Sequence, residues 1–309
     1  MSIPAPPIKP VTSPSEERWV TVDGLRVRYL FLSSQAAGPS SFPPILLIHG
    51  LLGYSFSWRF NLAALADYTD VYALDLPGVG FSERSPGLDC SLRGLSGFLR
   101  RFMDALGIRT ADVVGTSHGG ALAMLLAAET PARVRRLVLA APVNPWSESQ
   151  RWPNRILGNE FGTWILRQLW ALFPLVDHRA VERLYGDPRR IAPGTVEGYA
   201  APMSIPGTFD HLVAILNCWP ADVQALAAEL PRITMPVLLI WGGHDGVVVP
   251  ASAELLRAHL ANTKLVVFPG VGHLPYEEVP EEFNRAVCGF LFPAENSLSL
   301  AGDNSAQSR

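Results

Sequence analysis

The chain has 309 residues, 48% of them apolar and 17% charged, with a formal net charge of −3. That length supports one large core plus an inserted subdomain, and the acidic balance excludes the basic footprint that nucleic-acid binding requires. The three cysteines, Cys90, Cys218 and Cys288, have neither zinc-ligand spacing nor the even count of a disulfide framework, so reduced structural thiols are expected.

The first residues, MSIPAPPIKPVTSPSEER, are rich in proline and serine and carry no apolar signal region, so 1–18 reads as a flexible N-terminal arm. Val20–Val22 and Val27–Leu32 around Asp23-Gly24 read as a hairpin. Pro44–Ile48, Val71–Leu74, Asp112–Val114, Arg136–Ala140, Val237–Trp241 and Leu265–Phe268 read as buried strands. Leu92–Leu106, His118–Glu129, Ala251–Leu260 and Glu281–Phe290 have helical length and periodicity, with Gly107 and Pro131 as stops. This alternation predicts an α/β architecture, a mostly parallel sheet of about eight strands flanked by helices. Arg133, Arg135 and Arg136 read as a solvated approach to a strand. Over 143–232 the rhythm gives way to a tryptophan-rich, mainly helical segment, read as an inserted cap, which leaves 19–142 and 233–293 as the core. Within the cap, 161–176 is apolar at helical spacing and on most other sides, predicting a helix buried between cap and core; a channel lining or a dimer surface is the other reading. The small polar residues of 294–309 predict a flexible tail. Apolar stretches such as Ala121–Ala128 fall short of the roughly 18 residues of a membrane span, so a cytoplasmic protein without stable membrane insertion is expected.

The strongest local signal is Gly115-Thr116-Ser117-His118-Gly119-Gly120, between a strand and a helix. A serine on a sharp strand-to-helix turn needs small neighbours, and the dipole of the following helix favours negative charge developing beside it. Other motifs follow strands in turn: His49-Gly50-Leu51-Leu52-Gly53, Asp75 to Ser82 with Pro77, Gly78 and Gly80, Trp241-Gly242-Gly243-His244-Asp245, and Gly272-His273-Leu274-Pro275.

Together these motifs, in this order, resemble the α/β-hydrolase family, in its capped branch of small carboxylesterases, carbon–carbon bond hydrolases, epoxide hydrolases and haloalkane dehalogenases; the likeness runs from about Trp19 to Phe292. It implies Ser117 as nucleophile, His273 as general base and Asp245 as the acid that orients it. Serine at the elbow, where epoxide hydrolases and dehalogenases of this family carry aspartate, implies acyl transfer. The oxyanion hole would be the backbone N–H groups of Leu51 and His118. His49 is expected to pack beneath the oxyanion loop, His244 to face away from the site and His259 to lie on a peripheral helix. His178 and His211 fall in the cap, where surface or hydrogen-bonded placement is expected. Asp75 to Ser82 is expected to be a structural turn.

Tyr54, Phe56 and Trp58, with Trp146 and Trp219 from the cap, are expected to make the space over Ser117 apolar, as are Trp152, Trp164 and Trp170. The expected substrate is therefore a small to medium, largely apolar carboxylic ester. Carbon–carbon hydrolysis of diketo acids is the rival, and would be supported by a cap arginine such as Arg151, Arg155 or Arg183 meeting the substrate carboxylate. Acyl transfer to peroxide or another nucleophile, and a slow-turnover ligand receptor of the same fold, stay open. No metal or other cofactor is implied, because the elbow has serine where phosphate loops carry lysine and the cysteines lack ligand spacing. Oligomeric state is open, an apolar cap face being suited to a homodimer.

Overall fold

The computed structural model describes residues 15–36, 38, 40–147 and 176–293. Eight strands form one sheet: β1 (Glu16–Val22), β2 (Leu25–Leu32), β3 (Ile45–Ile48), β4 (Val71–Leu74), β5 (Ala111–Thr116), β6 (Val134–Ala140), β7 (Val237–Gly242) and β8 (Thr263–Phe268). Their spatial order is β1-β2-β4-β3-β5-β6-β7-β8. β2 runs antiparallel to β1 and β4, and every later pairing is parallel. β3, β5 and β7 are buried on both faces, which is why they appear as unbroken apolar runs rather than alternating ones.

The two faces of the sheet own separate cores, and the strand period of two sorts the side chains between them. Leu46, Ile48, Leu239 and Trp241 pack on one side with α2 (Leu92–Ala105) and α3 (Ser117–Glu129). Ile45, Leu47, Leu238 and Ile240 pack on the other with Trp58, with α1 (Leu62–Ala66), and with Phe283 of the C-terminal helix. α2 is capped by Ser91, whose hydroxyl accepts from Gly94 N, and buries the stripe Leu92, Leu95, Phe98, Leu99 and Phe102. α3 is buried all round.

Between β6 and β7 lies a helical region comprising α4 (His178–Glu182), α5 (Thr195–Ala200) and the long α6 (Thr208–Glu229), which carries Pro220. After β7 come α7 (Ala251–Ala258), α8 (Pro275–Glu278) and α9 (Pro280–Leu291). Among the described residues no helix is long and apolar enough to cross a membrane. The apolar helix expected over 161–176, apart from Val176, and the tail over 294–309 lie outside the described residues, as do Arg151, Arg155, Trp152, Trp164 and Trp170.

Two expectations are corrected. The N-terminal arm does not extend to residue 18, because Glu16, Glu17 and Arg18 pair with Phe31, Leu30 and Tyr29 as the outer edge of the sheet. Their charges, which read as loop, suit an edge strand: Arg18 lies over the Phe31 ring and Glu17 pairs with Arg28. The arginines at the start of β6 are not simply solvated. Arg135 pairs with buried Asp112, and Arg135 and Arg136 both donate to Leu291 O, tying down the last carbonyls of α9.

Candidate active site

Ser117 stands where β5 turns into α3, with φ of +51° in the left-handed region that side chains rarely adopt. The turn is possible because the backbones crowd there: a Cβ on Gly119 would lie 2.2 Å from His49 O. The strain lifts Ser117 to the carboxyl end of the central strands, where open α/β sheets place their ligands.

His273 and Asp245 arrive from loops at the same sheet edge. His273 Nδ1 is 2.8 Å from Asp245 Oδ2, with both side chains buried. The other Asp245 oxygen accepts from Val247 N at 2.8 Å and Val248 N at 2.9 Å, so the carboxylate is fixed by its own loop. Nδ1–H donates to the carboxylate, which leaves Nε2 as the acceptor. The His273 backbone N–H donates to Leu184 O at 2.7 Å, from the helical region.

Ser117 and His273 line one cavity of about 350 Å³. Its wall is mainly apolar, with Leu51, Val143, Val181, Leu216 and Trp219 among its members. Leu51 belongs to the loop Gly50–Gly53, closed by Gly53 N donating to Gly50 O at 3.0 Å, with Leu52 at φ +60°. The His118 backbone N–H is in the first turn of α3, where donors have no intrahelical acceptor. The His118 imidazole stacks on Trp219, and burial, with His49 and His211 nearby, pushes its pKa down to about 3.

His49 uses both ring nitrogens structurally: Nδ1 meets Gly50 O at 2.8 Å and Nε2 accepts from Leu76 N at 3.0 Å, with burial lowering its pKa. Asp75 accepts from Ser55 N and Phe81 N and pairs with Arg28, holding the glycine turn that follows it. His244 and His178 are exposed, as is His259 at the end of α7. His211 is buried beneath Gly78, its Nδ1 3.5 Å from Cys90 Sγ and its pKa lowered to about 4 by burial and Arg84.

Of the eight aromatic residues expected over Ser117, five are among the described residues, and of these only Trp219 lines the cavity. Trp58 is fully buried against Tyr276. Tyr54 sends its hydroxyl to Gly198 O, and Phe56 stacks on Tyr54 and covers Gly198. Trp146 packs on His259. Tyr54 and Phe56 thus brace the helical region at Gly198, while Trp58 and Trp146 pack on Tyr276 and His259; aromatic composition alone does not tell which way each ring faces.

Sequence reasoning missed a buried polar cluster beside the cavity. Glu277, on α8 four residues after His273, accepts from Arg59 at 2.7 Å, from the Tyr185 hydroxyl at 2.8 Å and from the Tyr199 hydroxyl. Its neighbour Glu278 accepts from Gly272 N, Gly186 N and Asp187 N and pairs with Arg190. Burial and the Glu277 charge push the phenols of Tyr185, Tyr199 and Tyr276 well above their ordinary range, so they act as neutral hydroxyls. The available signal was two adjacent acids directly after Gly-His-Leu-Pro-Tyr, which otherwise look like ordinary acids at a helix start.

The profile of the alpha/beta hydrolase fold family matches residues 43–280. The dihydrolipoyllysine-residue acetyltransferase component of the acetoin cleaving system of Cupriavidus necator is 32% identical over 276 residues, covering 86% of this chain and 67% of that protein. The pimeloyl-[acyl-carrier protein] methyl ester esterase of Nitrosomonas europaea is 29% identical over 262 residues, covering 78% of this chain and 92% of its own. Among solved structures, a membrane phospholipase A described as a bacterial virulence factor superposes with a TM-score of 0.75 at 26% identity, over 91% of this chain and 87% of the other. By profile match, strand order and sequence similarity, the chain belongs to the alpha/beta hydrolase fold family.

Proposed function

We propose that the chain is a serine hydrolase of small to medium, uncharged carboxylic esters, working through an acyl-enzyme on Ser117. The observation that carries this reading is His273 held by buried Asp245 and sharing one apolar cavity with Ser117. Ser117 Oγ attacks the ester carbonyl carbon as its proton passes to His273 Nε2, and Asp245 stabilises the imidazolium. The oxyanion forms against the N–H groups of Leu51 and His118. The C–O bond to the alcohol breaks, and the alcohol leaves with the proton from Nε2. Water then attacks the acyl-enzyme, giving its proton to His273, and the acid departs as Ser117 recovers its hydrogen. The helical region acts as the cap that excludes bulk water.

An uncharged substrate is favoured because no cationic side chain among the described residues lines the cavity. Arg183 is exposed, and Arg59 is engaged by Glu277. Among the described residues, the carboxylate of a diketo acid would find no cationic partner there. The methyl ester esterase relative is consistent with this chemistry.

Purified protein and Ser117→Ala are to be compared on 4-nitrophenyl esters from acetate to long chains. Sustained turnover that falls by about a million-fold in the variant is expected. Equal rates in the two proteins, or a single burst without further turnover, would overturn the esterase reading.

A further inference from the structure

Apart from Ser117, His273 and Trp219, the described wall of the cavity is aliphatic or glycine except at three hydroxyl residues, Ser57, Tyr199 and Tyr276. Two of these are engaged. The Tyr199 hydroxyl donates to the buried Glu277 carboxylate and lies 3.1 Å from Ser57 Oγ, so the pair is tied to itself and to the charge behind it. Tyr276 is different. Its ring packs against Trp58 and Phe283, at centroid distances of 4.8 and 6.0 Å, and only 2% of the residue is exposed. The hydroxyls of Thr116 and Tyr199 lie near its own, but their protons go to Ala140 O and Glu277. Among the described residues none meets the phenol in hydrogen-bonding geometry. Trp219 Nε1, likewise without a partner, is sealed inside the protein; the Tyr276 oxygen is not, and the small surface this residue keeps opens on the cavity. Burial, with the Glu277 charge, holds the phenol pKa well above its ordinary range, so the proton stays available to give. A buried donor without an acceptor is costly, and a ligand oxygen relieves that cost. An anionic acceptor is disfavoured, since no cationic side chain among the described residues lines the cavity and Glu277 stands behind Tyr199.

We infer that Tyr276 is a specificity-determining residue, donating a hydrogen bond to an uncharged acceptor oxygen that the substrate carries beyond the ester being cleaved, so that the substrate class is oxygenated esters rather than plain alkyl esters. An ether, ketone or second ester oxygen meets the requirement, whereas a methylene leaves the phenol unpaired. Thr116, beside the phenol, immediately precedes Ser117, so the acceptor belongs within a few bonds of the scissile carbonyl. The inference rests on the ester-hydrolase reading for its chemistry, but the binding preference is measurable without turnover.

The test uses Ser117→Ala, which binds without hydrolysing, with and without Tyr276→Phe, and pairs of esters in which an ether oxygen replaces a methylene. Butyl and 2-methoxyethyl butanoate probe the alcohol side. Propyl butanoate with propyl methoxyacetate, and propyl pentanoate with propyl 3-methoxypropanoate, probe the acyl side. Each ether nearly matches its partner in shape but is held better by water, so without a donor in the wall it binds more weakly. By calorimetric titration the ether-to-alkyl affinity ratio is expected to fall roughly tenfold on Tyr276→Phe in at least one pair, through weaker ether binding, while alkyl binding is kept. Near-UV circular dichroism checks the fold. If Tyr276→Phe does not fold, the ratio in Ser117→Ala alone carries the test: in at least one pair it should exceed the ratio of octanol–water partition roughly tenfold. A ratio that Tyr276→Phe leaves unchanged in every pair, an equal loss for both members, ratios that merely track partition, or no detectable binding by any ester would overturn the inference. Wild-type turnover of the same esters separates the two readings: turnover without a Tyr276-dependent ether preference removes the specificity role alone, and Tyr276-dependent ether binding without turnover removes the esterase alone.

Discussion

Asp245 shows how much one side chain does here, with one oxygen on the His273 ring and the other on two backbone N–H groups. Asp245→Asn replaces an acceptor with a group that can donate to Nδ1 and so favours the wrong tautomer of His273. We expect kcat for esters to fall by about ten-thousand-fold, measured in steady state, with KM changing far less. The meeting of Ser117, His273 and Asp245 was legible in the sequence because each sits in a short motif at the end of an apolar strand. The directions of Tyr54, Phe56, Trp58 and Trp146 were not, since the rings are set by tertiary neighbours such as Gly198, Tyr276 and His259. Glu277 was equally hidden: its partners Arg59, Tyr185 and Tyr199 are remote in the chain and only the fold brings them together.

At the scale of elements, the strands were readable from apolar runs bounded by turns, and they fell within a few residues of their observed ends. The outer half of β1 was not, because an edge strand with one face in water keeps its charges. The joints between elements depend on close backbone approach, which glycine permits. A Cβ on Gly242, at the end of β7, would lie 2.0 Å from Gly272 O, immediately before His273. Gly242→Ala should therefore displace the histidine loop. We expect a loss of about 1–3 kcal/mol in urea unfolding together with a fall in kcat, whereas an unchanged midpoint would show that the loop yields freely. Gly119→Ala is expected to cost a similar amount, through His49 O.

For the molecule as a whole, His49, His118 and His211 are buried and hold their protons less readily than in an unfolded chain, His118 down to about 3 and His211 to about 4. The unfolded state binds more protons below the ordinary histidine pKa of about 6.5, so stability is full above that value and falls as the pH drops toward 4 and then 3. At pH 5 the loss should be roughly 2 kcal/mol for each of His118 and His211. Melting temperature recorded from pH 8 to pH 4 should decline below about 6.5, and His211→Asn should flatten the decline. A flat wild-type profile over that range would contradict the assignment. The link through Glu278 has a different consequence. Its carboxylate joins Gly272 of the histidine loop to Gly186 and Asp187, and His273 N–H rests on Leu184 O. The segment 184–190 is thus shared property of two parts of the molecule. In chimeras that exchange the region between β6 and β7 with that of a relative, crossover points that keep this segment with its native histidine loop should yield folded hybrids, and crossovers that separate the two should strand a buried carboxylate and fail.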